Sequence, residues 1–460
     1  MNYLEDTIAA ISTPVGFSGI GMVRMTGDKS VEVIKKIFVT KSKVDFDDYK
    51  NRSIIYGHIV DEKGQIVDEV LVSKMLAPNT YTKEDVIEIS CHGGIIPVRK
   101  ILELALTKGA RMAEPGEFTK RAFLNGRIDL TQAEAVIDVI NSKTDRSLQM
   151  SVKQLEGRLS KKVKEIRNDL IEILAHIEAS IDYPEYDIEE MSFKLISQKS
   201  NDIKFKIDKL IQASKNGRII REGIKTAIIG KPNVGKSSLL NALLGEERAI
   251  VTEFEGTTRD TIEEYINIKG IPLKIIDTAG IRETENLIEK LGINKTKEIL
   301  SESDFVLLLL DGERGMDEED LALLQLVKDK KGLVAINKID RELKVNKEDV
   351  RNKSHMEVVE ISILKELGIE ELKNKIYDEV SDAGMDSDAY EMVSNIRHIN
   401  LLQDSSQSLN DCLEGLDSGL PVEMISVDIK NAWDKLGKII GETVTEDIVD
   451  EIFSKFCIGK

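Results

Sequence analysis

The sequence predicts a multidomain α/β plus α+β chain, in which a parallel-sheet α/β domain is inserted into an all-α helical domain and an α+β domain stands in front. Three observations predict it. Between about 222 and 380, short apolar runs alternate with helical segments, the rhythm of a parallel sheet covered by helices on both faces. Residues from about 119 to 215 and from about 385 to 460 step their apolar positions by three or four, so one helical domain is split by the α/β domain. Residues 1 to about 118 mix short strands, turns and a helix.

In order, the first territory (1–118) carries short apolar runs at Gly19-Ile20-Gly21-Met22-Val23 and Val70-Leu71-Val72. Ile87-Glu88-Ile89-Ser90 alternates with period two, as a half-buried strand does, and Pro97 to Leu106 reads as a helix. In the second (119–215), Leu155, Leu159, Val163, Ile166, Leu170, Ile173, Ile177 and Ile181 fall on one helical face, and Pro184 ends or kinks that stretch. In the third (216–380), strands are expected at Lys225–Ile229, Leu273–Ile276, Phe305–Leu310, Val334–Ile336 and Val358–Ile361. In the fourth (381–460), Ile448, Val449, Ile452, Phe453 and Phe456 share a face behind a capping box at Thr443-Val444-Thr445-Glu446.

The composition agrees with this division. A length of 460 residues admits two to four domains at roughly 100–200 residues each. Charged residues make up 32% and aromatics 5%, which favours long solvated helices over a compact β protein. The net charge of −18 argues against strong autonomous binding to a phosphate backbone, and leaves room for a local basic patch or a basic partner. The three cysteines, Cys91, Cys412 and Cys457, lack zinc-ligand spacing and fit a reducing cytoplasm. No signal peptide is read at the N-terminus, and no apolar run reaches the roughly 18 residues of a membrane span.

The chemistry is concentrated in the third territory. Gly230-Lys231-Pro232-Asn233-Val234-Gly235-Lys236-Ser237 matches the P-loop pattern and lies between a predicted strand and a predicted helix, the context that motif requires. Backbone N–H groups from Asn233 to Ser238 and the helix N-terminus suit phosphate oxygens, Lys236 adds charge, and Ser237 offers a hydroxyl to Mg²⁺. Asp277-Thr278-Ala279-Gly280 follows a strand, where a carboxylate can hold a magnesium-bound water and a Gly N–H can meet a γ-phosphate. Asn337-Lys338-Ile339-Asp340 follows another strand. The Asp340 carboxylate can accept from guanine N1–H and its amino group, a pair that adenine cannot supply. Ser362-Ile363-Leu364 is the candidate loop closing over the base, with Ile where Ala is common. Thr258, within Gly256-Thr257-Thr258-Arg259-Asp260, is the candidate second hydroxyl ligand of Mg²⁺. Together these describe a Ras-like P-loop G domain that hydrolyses GTP.

The water-orienting Gln of Ras-like enzymes is replaced here by Ile281, which cannot hydrogen-bond to water. Glu283, Glu285 and Glu289 are the nearby acidic candidates. Charge at the β–γ bridge has to come from Arg259, Arg282 or a bound cation.

With these residues in view, the chain resembles the MnmE (TrmE) family of tRNA-modification GTPases over essentially its whole length. The resemblance rests on Gly19 to Arg24, Tyr81-Thr82-Lys83-Glu84-Asp85, Cys91-His92-Gly93-Gly94, the run from Pro115 to Gly126, and Phe456-Cys457-Ile458-Gly459-Lys460. It implies an N-terminal tetrahydrofolate-binding-like domain that dimerises, a helical domain and an inserted G domain. It implies K⁺-activated GTP hydrolysis and a heterotetramer with the flavoprotein MnmG (GidA), which alone holds FAD. That complex modifies the wobble uridine of certain tRNAs in the cytoplasm, drawing the C5 methylene from 5,10-methylenetetrahydrofolate or a formyl-folate analogue.

It further implies residue roles. Asn233, Thr252, Phe254 and Thr257 resemble the K⁺ ligands within a loop formed by Thr252, Glu253, Phe254, Glu255, Gly256, Thr257 and Thr258. Glu289 resembles the catalytic glutamate, and Cys457 a residue of the tRNA-modification chemistry. Arg24, Glu84, Arg127 and Lys460 resemble positions lining the folate site, where cations suit a glutamate tail and Glu84 can accept from pterin N–H groups. His92 stays open between a structural and a site residue.

Two other readings are a ribosome-assembly-type GTPase switch and a septin- or dynamin-like structural GTPase. The first would carry a basic RNA-binding appendage, which this acidic chain lacks. The second would lack the folate-type residues and the Cys-Ile-Gly-Lys segment.

Overall fold

The computed structural model describes residues 6–42, 44–182, 189–245, 264–276, 292–381 and 393–460. The chain divides into two compact units, Met1–Ile137 with Gly437–Lys460, and Asp138–Glu253 with Thr257–Leu436.

The first unit opens with β1 (Ile8–Ile11), β2 (Gly21–Thr26), α1 (Ser30–Ile37), β3 (Phe38–Thr40), β4 (Ser53–Val60), β5 (Ile66–Met75), β6 (Val86–Cys91), α2 (Ile95–Thr107), β7 (Arg111–Met112) and α3 (Glu117–Leu124). The strands form one sheet in the order β3-β4-β5-β6-β2-β1-β7, antiparallel except where β7 runs parallel to β1. Period-two alternation gives the sheet two different faces. Ala9, Val23, Met25, Val72, Ile87 and Ile89 pack on one side in a core shared with Ile34 and Ile37 of α1 and Ile101 and Ala105 of α2. The alternate residues of β1, Ile8 and Ala10, pack instead with Ala113, Phe118 and Tyr81. Arg24 of β2 lies over the Phe118 ring, 5.7 Å from its centroid.

Long helices follow: α4 (Leu130–Asn141), α5 (Asp145–Leu155), α6 (Arg158–Asp182) and α7 (Glu189–Glu222). The expected single face from Leu155 to Ile181 needs correcting at both ends. Leu155 closes α5, and the chain turns at Glu156-Gly157, with Gly157 at φ 82°, before α6 begins. Leu159, Val163, Ile166, Leu170, Ile173 and Ile177 are buried, whereas Ile181 is 40% exposed in the last turn. The stripe is therefore six residues of one helix. Pro184 lies outside the described residues; α6 ends at Asp182. Helix α7 buries Ile196, Ser200, Ile203, Ile207, Leu210 and Ser214 in three- and four-residue steps, then continues past position 216 to Glu222.

There α7 hands over directly to the α/β region: β8 (Ile224–Ile229), α8 (Lys236–Leu244), β9 (Glu264–Ile268), β10 (Ile271–Ile275), α9 (Gly292–Glu302), β11 (Phe305–Asp311), α10 (Glu318–Val327), β12 (Gly332–Asn337), α11 (Lys347–Ser354), β13 (Glu357–Glu360) and α12 (Ile369–Val380). The six strands take the order β13-β12-β11-β8-β10-β9. All neighbouring pairs run parallel except β9 with β10, an antiparallel edge that the expectation of a parallel sheet did not include. Both faces are buried. In β11, Phe305, Leu307 and Leu309 join one core, and Val306, Leu308 and Leu310 join the other. That explains the uninterrupted apolar run: a strand covered by helices on both sides has no solvated face.

Helices α13 (Ile396–Asp417), α14 (Val422–Ile440) and α15 (Glu446–Ser454) complete the chain. Helices α6 and α13 both pack along α7. In the first unit, Val449, Phe453 and Phe456 pack on Leu130 and Ala133. Ile448, expected on that face, is 37% exposed. The expected capping box shifts as well: the N-cap is Thr445, and its side chain makes no cap hydrogen bond.

Candidate functional site

The order of the strands reverses on either side of β8, and crevices beyond the carboxyl ends of strands at such a reversal are where α/β sheets hold ligands. The loop leaving β8 is shaped for this. Gly230, Asn233 and Gly235 have φ of 150°, 63° and 105°, three positive values within six residues in front of α8. Left-handed turns of this kind aim successive N–H groups into one concavity, and a helix N-terminus adds its positive end. Gly235 is required twice over: its φ is positive, and a Cβ there would lie 2.7 Å from the Asn337 Nδ2. Lys236, the first residue of α8, donates from Nζ to the carbonyls of Gly230 and Lys231, both at 2.8 Å. Burial holds its ammonium below the ordinary lysine range, so an anion here meets a cation that solvent stabilises poorly. Ser237 and Ser238 follow in the first turn of α8.

The second half of the crevice comes from β12. Register pairs Asp311 at the end of β11 with Asn337 at the end of β12. Asn337 is buried, and its amide joins two loops: Nδ2 donates to the Val234 carbonyl at 2.9 Å, and Oδ1 accepts from the Ile363 N–H at 3.2 Å. Lys338 donates to Asp311 Oδ2 at 2.6 Å. Asp340 is exposed, and its Oδ1 accepts from the buried Ser362 hydroxyl at 2.5 Å, which holds the carboxyl below its usual range. That bond fixes one edge of the carboxylate and leaves its orientation set for a ligand. Ile363 packs against the core, whereas Leu364 is 77% exposed.

Bonds through Asn337 thus join Val234 to Ile363, and Ser362 beside it holds Asp340; Asn233 and Gly235 to Ser238 lie on the same loop and helix start as Val234, and Lys338 is tied instead to Asp311. Thr252, Glu253, Phe254, Glu255, Gly256, Thr257, Thr258, Asp277, Thr278, Ala279, Gly280 and Glu289 lie outside the described residues. Asp311 was missed, and the signal for it is its place at the end of the most apolar strand, opposite Asn337.

A second constellation lies in the first unit. Arg24 and Thr26 sit two apart on β2, facing the same way. Arg24 pairs with Glu88 across the sheet at 2.8 Å and donates to the Gly459 carbonyl at 3.2 Å. The segment that carries Gly459 is stitched to β1 and to the start of α3. The Ser12 hydroxyl also reaches the Gly459 carbonyl, Gly116 N–H donates to the Cys457 carbonyl, and Pro115 bridges Ile458. A Cβ on Gly459 would fall 2.3 Å from the Ile11 carbonyl, so only glycine passes here. Lys460 is half-buried beside this contact, and the neighbouring Cys457 is exposed. Glu84 accepts from the Thr26 hydroxyl at 3.0 Å, and Arg127 stacks 4.7 Å from the Tyr81 ring centroid.

Arg24 and the Gly459 segment are therefore in contact, Glu84 joins them through β2, and Arg127 is tied to the loop bearing Glu84. His92 is an exposed ring bonded to Asp68 at 2.6 Å, apart from these groups. Cys91 is buried, which pushes its thiol up to about 11. Glu88 and the buried Arg121 were missed, because their partners are remote in sequence.

Residues 7–127 match the family model of the GTP-binding protein TrmE N-terminus, and residues 130–457 match that of the MnmE helical domain. The chain belongs to the MnmE family. It is 50% identical over 463 residues to the tRNA modification GTPase MnmE of Alkaliphilus oremlandii, with all of both chains covered. The corresponding proteins of Clostridioides difficile and Acetivibrio thermocellus are 50% and 51% identical, again over the full length of both chains. The MnmE helical model spans 130–457 and so encloses the six-stranded sheet, as a G domain inserted into a helical domain requires. Among the described residues, no helix is long and apolar enough to cross a membrane.

Proposed function

We propose that this MnmE-family GTPase hydrolyses GTP under K⁺ activation. In this reading it acts as a cytoplasmic homodimer that joins the flavoprotein MnmG in a heterotetramer. Together they add a carboxymethylaminomethyl-type group at C5 of the wobble uridine of certain tRNAs. The observation that carries the nucleotide half is the Asn337 amide, which joins the phosphate loop at Val234 to the base loop at Ile363. One side chain thereby sets the spacing between a phosphate cradle and a carboxylate, Asp340, that accepts two N–H donors from guanine.

The residues present fit a magnesium nucleotide: three positive-φ turns face an ammonium that burial has destabilised, with the Ser237 hydroxyl one residue away. Mg²⁺, with Ser237 and Thr258 as protein ligands, supplies charge that stabilises phosphoryl transfer. Lys236 exchanges its two carbonyl acceptors for phosphate oxygens, and Asp340 keeps its Ser362 bond while reading the base. Asn233 offers a hard amide oxygen suited to K⁺, with Thr252, Phe254 and Thr257 completing the set. Glu289 orients the attacking water. Arg24, Glu84, Arg127 and Lys460 hold the folate that brings the one-carbon unit, and Cys457, exposed next to that segment, serves the modification chemistry.

GTP turnover in KCl and NaCl at matched ionic strength tests the reading. Strong stimulation by K⁺ alone supports the cation role of Asn233 and the 252–258 loop. Equal rates would remove it and return the charge source to Arg259 or Arg282.

A further inference from the structure

Arg121 of α3 is the largest fully buried side chain of the chain's described residues, at 1% exposure. A guanidinium so placed survives only if its surroundings compensate it. Its Nη2 donates to Asp6 Oδ1 at 2.5 Å and to Glu117 Oε1 at 3.0 Å, and its Nη1 donates to the Asp6 carbonyl at 2.8 Å. Nη1 also lies 3.3 and 3.4 Å from the two oxygens of Glu84, and Nε has no partner among the described residues. Arg111 joins the same cluster through Asp6 Oδ2 and Glu117 Oε1, both at 2.6 Å.

Among the described residues the charges do not balance. Asp6, Glu84 and Glu117 bring three negative charges, and Arg111 and Arg121 bring two positive. Asp6 and Glu117 each bond both cations at short range. Among the described residues, Glu84 has only the long contact with Arg121, plus the Thr26 hydroxyl. The uncompensated charge therefore falls on Glu84, which borders a cavity of about 610 Å³ also lined by Asp28, Lys83, Asp85 and Asn125. The Lys83 ammonium is directed at the carbonyls of Asn125 and Gly126. A cluster built for stability alone would balance its charge and leave no buried donor idle.

We propose that Arg121 is a positioning residue for Glu84. It holds the carboxylate from behind through a long ion pair and leaves it to accept two adjacent N–H donors from a ligand, as the aminopyrimidine edge of a pterin presents them. This assignment rests on the folate reading above.

The test measures binding of 5-formyltetrahydrofolate to the full-length protein, its Arg121→Met and Glu84→Gln variants and the double variant, with thermal melts alongside. Loss of one charge-assisted hydrogen-bonded contact weakens affinity by roughly 10- to 100-fold. Each single variant is expected in that range, and the double variant no weaker than Glu84→Gln, because Arg121 acts through Glu84. Additive losses, or parental affinity in a folded Arg121→Met protein, would overturn the assignment while leaving the folate reading intact. Failure of the parent protein to bind would overturn both. If Arg121→Met does not fold, Arg121→Lys, which keeps the charge and loses the planar fork, is expected to bind with intermediate affinity; parental affinity there refutes the assignment.

Discussion

Asn337→Ala is the sharpest probe of the nucleotide crevice. The amide is 5% exposed, and its two bonds, at 2.9 and 3.2 Å, end on backbone groups of different loops. Truncation leaves the Val234 carbonyl and the Ile363 N–H without that partner. The Val234 acceptor is buried and costs about 1–3 kcal/mol when left unsatisfied, whereas the part-buried Ile363 N–H costs less because water can reach it. Nucleotide binding needs both loops in register, so the cost falls on affinity. Even about 1 kcal/mol corresponds to roughly a fivefold rise in Kd. Titration of a fluorescent GDP analogue, with a thermal melt on the same sample, measures it. A Kd within threefold of the parent's would refute the reasoning. A lower melting temperature at unchanged affinity would assign the bridge to the fold alone.

Three further outcomes are expected. Leu170→Ala, at a fully buried position of α6, should lower stability by about 2–5 kcal/mol in denaturant unfolding, and a loss below about 1 kcal/mol would place Leu170 outside the core. Iodoacetamide at pH 8 should label Cys457 first, because it is exposed, whereas burial pushes Cys91 and Cys412 up to about 11; mass spectrometry showing equal labelling in the native protein would contradict this. Burial alone would raise the Glu117 carboxyl, but hydrogen bonds from Arg111, the Glu114 N–H and Arg121 outweigh it and hold it below 4.5. Its contribution is therefore complete above pH 4.5 and lost as pH falls through the depressed value, so Glu117→Gln should flatten the acid limb of the melting-temperature profile, and an unchanged limb would refute the linkage.

What could be read from sequence followed the range of the interaction that fixes it. The strand–loop–helix at Gly230 to Lys236 and the strand before Asn337 are specified by neighbouring residues, and both were legible. So was β11, whose six consecutive apolar positions from Phe305 to Leu310 announce burial on both faces. The α5–α6 break was not, because apolar spacing passes unbroken across Gly157 and only the turn geometry shows it. The antiparallel β9 was hidden for a similar reason: Glu264 to Ile268 alternates as any strand does, and its direction is set by a tight turn at Lys269-Gly270. The Arg121 cluster was least legible, since Asp6, Glu84, Arg111 and Glu117 come together only when β1, the loop before β6, β7 and α3 have met.

The stitching of residues 457–459 onto Ser12, Arg24 and Pro115 also bears on how the protein is made. Residues up to Ile137 belong with Gly437–Lys460, and the whole second unit is translated in between. At about 5–20 residues per second, that interval lasts roughly 15–60 s. Throughout it, the nascent sheet must wait with the Phe453 and Phe456 side of its helical cluster uncovered. A chaperone that recognises apolar surface has its longest opportunity on the part of the polypeptide that emerged first, and a ribosome that stalls within the G domain leaves that early portion permanently unfinished.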